Sequence, residues 1–253
     1  MALAQDRAFQ MKVKPKTPTP MPEAEDGGED MIRCRGLRFP DRPEILAPRL
    51  RRALRRNNYE RTEADAARSQ VTADDVVLEL GGGIGFMSSV MARNCKASHV
   101  HVFEPNPDAV AYMRDVHALN GITNATVMNA VVGPKKGKAT FYQRENLLTS
   151  SLEENPAKLD VPVVAEHDIE VLNINTVWKD LKPTVLVCDI EGAEADLFDK
   201  ATLSGIRLAI IEVHPQWIGE TGVRAVFDAM HRNGLTYFPK ASVAKVLVFK
   251  KDF

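Results

Sequence analysis

Residues 76–89 read VVLELGGGIGFMSS, with four glycines in five positions between an apolar run and a stretch of helical spacing. A backbone that bare loses much chain entropy on folding, so it belongs where something must come close to the main chain. A glycine loop joining a strand to a helix exposes the N–H groups of the helix start. In open α/β sheets such loops lie at the carboxyl edge, where ligands bind. The rest of the chain agrees with that frame. HVHVF (99–103), ATVMNAVV (125–132), TVLVCDI (184–190) and RLAIIEV (207–213) read as strands. PDAVAYMRDVHALNG (107–121), GAEADLFDKA (192–201) and RAVFDAMHRNG (224–234) read as helices between them, with Pro107 in a first turn and Gly121 as a stop. LTYF (235–238) and AKVLVFK (244–250) have no helix between them and predict an antiparallel hairpin at the sheet edge. GKATFYQ (137–143) and VPVVAEHDI (161–169) predict a small β insertion between the third and fourth strands, joined by a polar lid over 144–160. The expected fold is α/β, a doubly wound, mostly parallel seven-stranded sheet.

The chain has 253 residues, 44% apolar and 26% charged, which suits one globular domain with an appendage. Residues 1–30, rich in Pro, Lys and acids, predict a disordered tail. Residues 31–70 are expected to form a helical segment covering the site, and 71–253 the ligand-binding domain. Seven arginines stand between Arg42 and Arg61, on a stretch where Ile45, Leu46, Leu50 and Leu54 recur at helical spacing. Without interleaved aromatics that basic face reads as solvated rather than as a nucleic-acid surface. A net charge of −1 gives no general attraction to polyanions. Cys34, Cys95 and Cys188 have no metal-ligand spacing and read as reduced structural thiols. With no apolar stretch of membrane-spanning length and no signal-peptide core, the expectation is a cytoplasmic protein with no membrane partner.

Glu104 follows Gly85 by nineteen residues, in FEPN at the end of the second strand. A carboxylate there can accept hydrogen bonds from a ribose diol, so loop and acid together predict a nucleoside cofactor. A dinucleotide fingerprint needs a small third residue. Counting from Gly81 and Gly83 that residue is Phe86, and counting from Gly83 and Gly85 it is Ser88. Glu79, just before the loop, would repel a pyrophosphate and attract an ammonium. S-adenosylmethionine carries an ammonium and a sulfonium and no phosphate, so it fits Glu79, Gly81, Gly83 and Gly85 better than NAD does.

The stretches DDVVLELGGGIGFMSSVMA, VHVFEPNPDAVAYM, NATVMNAVVG, TSSL, LVCDIEGAEADLF and LAIIEVHP occur in this order. In them the chain resembles the FkbM-type methyltransferases, from about residue 57 to 250. The resemblance implies a Rossmann-like class I fold and S-adenosylmethionine as cofactor. It implies methylation, mostly of hydroxyls, on natural products and sugars. It further implies that Glu79, Gly81, Gly83 and Gly85 border the methionine part, that Glu104 holds the ribose, and that Asn129 and Ala130 lie near adenine. The chain departs from the family in having Glu79 and Gly83 where Asp and Asn are usual, and Cys188 where Lys is usual.

Chemistry is expected where the fourth and fifth strands end. Asp189 and Glu191 share a face if the strand continues, and Glu194 falls in a first helical turn, where an acid caps. Glu212 with these acids would suit a hard cation such as Mg²⁺, but the spacing does not enforce it and no metal is assigned. An alcohol acceptor must lose its proton, and His214, just past the fifth strand, is the candidate general base beside Asp189 and Glu191. His167 is a second candidate, Trp217 a candidate pocket wall, and Ser150 and Ser151 candidate lid contacts. The resulting expectation is an S-adenosylmethionine-dependent methyltransferase acting on a hydroxyl of a small molecule or glycan, with no nucleic-acid partner and a homodimer left open. An N-methyltransferase on a small molecule or peptide stays open. So does an NAD-binding oxidoreductase, or an inactive cofactor-binding protein of the same fold.

Overall fold

The structure is a computed structural model that describes residues 31–144, 151–152 and 161–252. The tail 1–30 and most of the lid, Ser150 included, lie outside the described residues. A seven-stranded sheet forms the centre. It is built from β3 (Val76–Leu80), β4 (His99–Phe103), β5 (Ala125–Met128), β9 (Val185–Cys188), β10 (Leu208–Glu212), β11 (Thr236–Tyr237) and β12 (Val246–Lys250). Their order across the sheet is β11-β12-β10-β9-β3-β4-β5. β3, β4, β5, β9 and β10 run parallel, whereas β12 pairs antiparallel with β10 and β11 antiparallel with β12, as the hairpin reading predicts. The order turns back between β3 and β9, and that switch point opens the crevice at the carboxyl edge.

Alternation along each strand divides the interior into two cores. Val77, Val185, Val187, Leu208 and Ile210 face one core, and Leu78, Leu80, Leu186, Ala209 and Ile211 face the other. The first core is covered by α4 (Pro107–Leu119) and by the N-terminal segment. The second is covered by α5 (Ile174–Leu181), α6 (Glu194–Phe198) and α7 (Pro215–Arg232), the last kinked at Gly219. The helix after the glycine loop, α3 (Phe86–Ser89), widens into a π turn over Val90–Asn94.

The structure departs from the sequence reading in several places. Residues 31–70 do not open on a helix. They open on a hairpin, β1 (Met31–Cys34) with β2 (Leu37–Pro40), turning through Arg35 and Gly36 at φ +50° and +80°. Two left-handed turn residues match the twist of a tight hairpin. Ile32, Cys34, Leu37 and Phe39 then bury one face. Helices α1 (Pro48–Arg55) and α2 (Arg61–Gln70) follow, so Ile45 and Leu46 precede the first helix rather than beginning it. The stretch ATVMNAVV is not one strand. It breaks after β5 because the Asn129 amide donates to the carbonyls of Glu104 and Pro105 at 3.0 and 2.8 Å, which turns the chain. Its second half, β6 (Val131–Gly133), joins β7 (Gly137–Arg144) and β8 (Val163–Asn173) in a separate sheet of order β6-β8-β7. The insertion therefore has three strands where two were expected. Helix α5 had no counterpart in the sequence reading; the Asn173 side chain caps it by accepting from the Thr176 N–H at 3.1 Å.

Candidate functional site

The glycine loop leaves β3 under the end of β9. Gly81 adopts φ +83°, and a Cβ there would overlap the main-chain carbonyl of Asp189. Only glycine lets the two strand ends meet this closely. Gly83 also has positive φ, but no atom lies within 4 Å of where its Cβ would stand, so its bare face looks onto open space. Gly85 forms the left-handed N-cap of α3.

Two acids flank this loop. Glu104 is buried, and its carboxylate accepts from the Gly83 N–H and the Asn106 N–H, each at 2.8 Å. Each oxygen keeps a further lone pair for a hydroxyl donor. Burial pushes this carboxyl up to about 7, although the N–H groups of Asn106, Gly83 and Gly82 pull the other way. Glu79 is only 1% exposed, and its Oε2 has no hydrogen-bond partner among the described residues. Burial, with Glu60 and Glu104 nearby, drives its carboxyl well above the usual range. A buried carboxylate with one oxygen unpartnered, beside a bare main-chain face, is a fit for a cationic nucleoside and a poor one for a pyrophosphate. Asn129 is exposed, with its amide donors held by the main chain, and Ala130 beside it is buried.

The second cluster gathers at the ends of β9 and β10. His214 is 2% exposed; its Nδ1 lies 2.8 Å from Glu194 Oε1. Its Nε2 faces Glu191 Oε2 at 3.3 Å and Asp189 Oδ1 and Glu212 Oε1 at 3.7 Å each. The structure thus brings together the three predicted catalytic residues Asp189, Glu191 and His214, together with Glu194, expected as a cap, and Glu212, expected beside these acids. Glu194 is fully buried at the start of α6, where it also accepts from the Gly192 N–H at 3.1 Å. It serves as a cap and as the partner of His214 at once. Burial opposes a charge on His214, but Glu194, Glu191 and Asp189 outweigh it and raise its pKa. Burial, then Glu212 and Glu191, push Asp189 up to about 8. Glu191 sits in a tight turn, at φ +51° before Gly192 at φ +104°. A Cβ on Gly192 would strike Trp217, whose half-exposed ring covers that turn.

Sequence reasoning missed the contribution of the N-terminal segment. Tyr59 stacks edge-on against Phe86, with ring centroids 5.3 Å apart. Its neighbour Glu60, at φ +40°, hydrogen-bonds it and lies within the field of Glu79, Asp189 and Glu212. Glu63 is pushed up to about 7 by burial and by sharing a hydrogen bond with Glu212. Lys245, just before β12, forms an ion pair with Glu212. No local motif marks Tyr59, Glu60, Glu63 or Lys245; only the left-handed start of α2 and the sheet order deliver them. The other histidines lie outside the cluster. His167 pairs with Gln143 at 2.6 Å in the β7–β8 sheet, His99 with Thr126 at 2.9 Å, and His117 with Ser88 at 2.8 Å. Ser151 bridges to Tyr142 beside β7.

Comparison with known proteins adds the following. No curated protein matches the sequence. Among solved structures, the chain is similar to M. jannaschii TYW2 in complex with AdoMet, at 16% identity and a TM-score of 0.47, over 88% of this chain and 84% of that one. It is similar to a precorrin-6y C5,15-methyltransferase from Geobacter metallireducens at 10% identity and a TM-score of 0.47, over 85% and 94%. It is also similar to Trm5b from Pyrococcus abyssi at 13% identity and a TM-score of 0.48, over 87% of this chain and 56% of that one. The family model for the methyltransferase FkbM domain matches residues 75–239, which runs from the residue before β3 to beyond β11 and takes in both clusters. The chain therefore belongs to the FkbM methyltransferase family and is a class I enzyme that uses S-adenosylmethionine.

Proposed function

We propose that the chain transfers a methyl group to a hydroxyl of a small molecule or glycan. S-adenosylmethionine, when bound, supplies a methyl already activated by its sulfonium. The protein's tasks are then alignment, exclusion of water and removal of the acceptor's proton. Gly81, Gly83 and Gly85 form the bare cradle, with Glu79 as partner for the ammonium and Glu104 for the ribose hydroxyls. Asn129 and Ala130 border the adenine. Asn129 acts mainly by holding the end of β4 in place, because its amide donors are taken.

The observation that carries the hydroxyl reading is the convergence of four carboxylates on one buried imidazole beside the loop. With Nδ1 committed to Glu194, Nε2 points at three carboxylate oxygens. Something positive must stand there, so His214 holds charge in place rather than taking the acceptor's proton. Glu191 is the exposed carboxylate at the mouth, and we assign proton removal to it. Asp189 and His214 then position the hydroxyl.

A screen with labelled S-adenosylmethionine across sugar, polyketide and peptide acceptors tests the reading. Label on an acceptor oxygen supports it. Label confined to amine nitrogens, which an acidic cleft would also attract, overturns it. Calorimetric titration with S-adenosylmethionine against NAD tests the cofactor cradle separately.

A further inference from the structure

We propose that Asp189, Glu212 and His214 bind one hard divalent cation of the Mn²⁺ and Mg²⁺ class, and that this ion carries the acceptor's ionising oxygen. One donor atom from each residue lies within 4.8 Å of the others. Two ligands of one such ion, bonded at about 2.1 Å, stand about 3 Å apart when adjacent and about 4.2 Å apart when opposite. The His214 Nε2 distances to Asp189 Oδ1 and Glu212 Oε1, 3.7 Å each, fall between these limits. They are too long for hydrogen bonds. Asp189 Oδ1 is buried and accepts no hydrogen bond among the described residues.

The imidazole supplies the independent observation. His214 is almost wholly buried, and fully buried Glu194 holds its Nδ1 at 2.8 Å. A carboxylate on one imidazole nitrogen is the usual device for fixing the tautomer and raising the basicity of a metal-ligating histidine. It leaves Nε2 facing the carboxylate oxygens, which either a proton on that nitrogen or a cation between them must hold together. The ligands stand on rigid supports. Ile211 pairs with Cys188 across the adjacent strands β10 and β9, so Glu212 and Asp189 leave neighbouring strand ends side by side. Lys245 neutralises part of Glu212, but its side chain is half exposed and reaches the cluster from the rim. Carboxylates favour Mg²⁺ and Mn²⁺, and one imidazole shifts the preference toward Mn²⁺. Metal binding would displace a proton from the His214 ring. Glu191 Oε2, 3.3 Å from that nitrogen, remains outside the triad and takes the proton of a metal-held hydroxyl.

The ion's role toward the acceptor rests on the hydroxyl reading above; the site itself does not. The test is titration of Mn²⁺ into the metal-stripped full-length protein, without acceptor or cofactor, followed by calorimetry and by loss of the free Mn²⁺ paramagnetic signal. The expected result is one saturable Mn²⁺ per chain. Glu212→Gln and His214→Ala should each weaken it by roughly tenfold or more, with S-adenosylmethionine affinity unchanged as proof of folding. Lys245→Met should tighten it, because the competing ammonium is gone, and this arm needs no disruptive change. Absence of saturable Mn²⁺ binding overturns the proposal, as does equal binding in all three variants. The two readings fail separately: Mn²⁺ binding without oxygen methylation removes the hydroxyl reading, and methylation that survives chelation without Mn²⁺ binding removes the cation.

Discussion

Glu104 carries two demands in one carboxyl group. It is buried with two main-chain donors, and it faces the cradle where a ribose diol would sit. Its pKa is raised to about 7 by burial. The folded chain therefore binds its proton more tightly than the unfolded chain does. The matching stability is fully present below about pH 4.3 and is lost as pH rises through 7, on the order of 3 kcal/mol at most. Glu104→Gln removes that slope. The variant should melt higher than the parent at pH 8 and alike at pH 4, while S-adenosylmethionine affinity falls by roughly tenfold or more. Scanning fluorimetry across pH, with calorimetry at pH 8, checks both. The placement of Glu104 and Glu79 beside the loop was legible, because it follows from sequence distance to the glycines. That of Glu60 and Glu63 was not, since a carboxylate on a polar helix looks the same in sequence whether it faces water or a cleft. The surroundings of His214 were not legible: a lone histidine after a strand reads as a base, and only the fold brings carboxylates to both of its nitrogens.

Helices and strands were legible where burial sets a period. The parallel strands announce themselves as apolar runs because helices cover both faces. The break at Asn129 is the opposite case, since two side-chain hydrogen bonds overrule an unbroken β pattern. The hairpin at 31–40 alternates in MIRCRGLRFP, but its three arginines mask that period in any reading by charge. At the edge remote from the site, Asp75 ties three elements together. It accepts from the Thr72 N–H at 2.7 Å, the Thr184 hydroxyl at 2.8 Å and Arg207 Nε at 2.7 Å. Burial alone would raise its pKa, but Arg207, Thr72 and Thr184 hold it below the usual range. This stability is present above about pH 4 and is lost as pH falls below it. Asp75→Ala leaves Arg207 without its partner and should lower stability by about 3 kcal/mol, read by urea unfolding, with cofactor affinity unchanged.

Across the whole molecule the two ends of the sheet do different work. The amino edge holds the Asp75 knot, and the carboxyl edge gathers the cradle and the His214 cluster. The N-terminal segment belongs to the same body, because Phe39, Leu46 and Leu54 are fully buried in the core that also holds Val77 and Val100. Phe39→Ala should therefore cost about 4 kcal/mol and shift one cooperative unfolding transition rather than create a second. A separate early transition, seen by calorimetry, would show the segment to be an independent unit. No described helix is long and apolar enough to cross a membrane.

The absence of a side chain at position 81 joins the glycine loop to the acid cluster. The Asp189 carbonyl rests where a methyl group would go, so Gly81→Ala should weaken cofactor affinity and displace Asp189 in the same stroke. On the proposed reading, the parts that would grip methyl donor and methyl acceptor share one point of contact. Any side chain placed at that seam would push on the strand end that carries the acid cluster as well as on the loop.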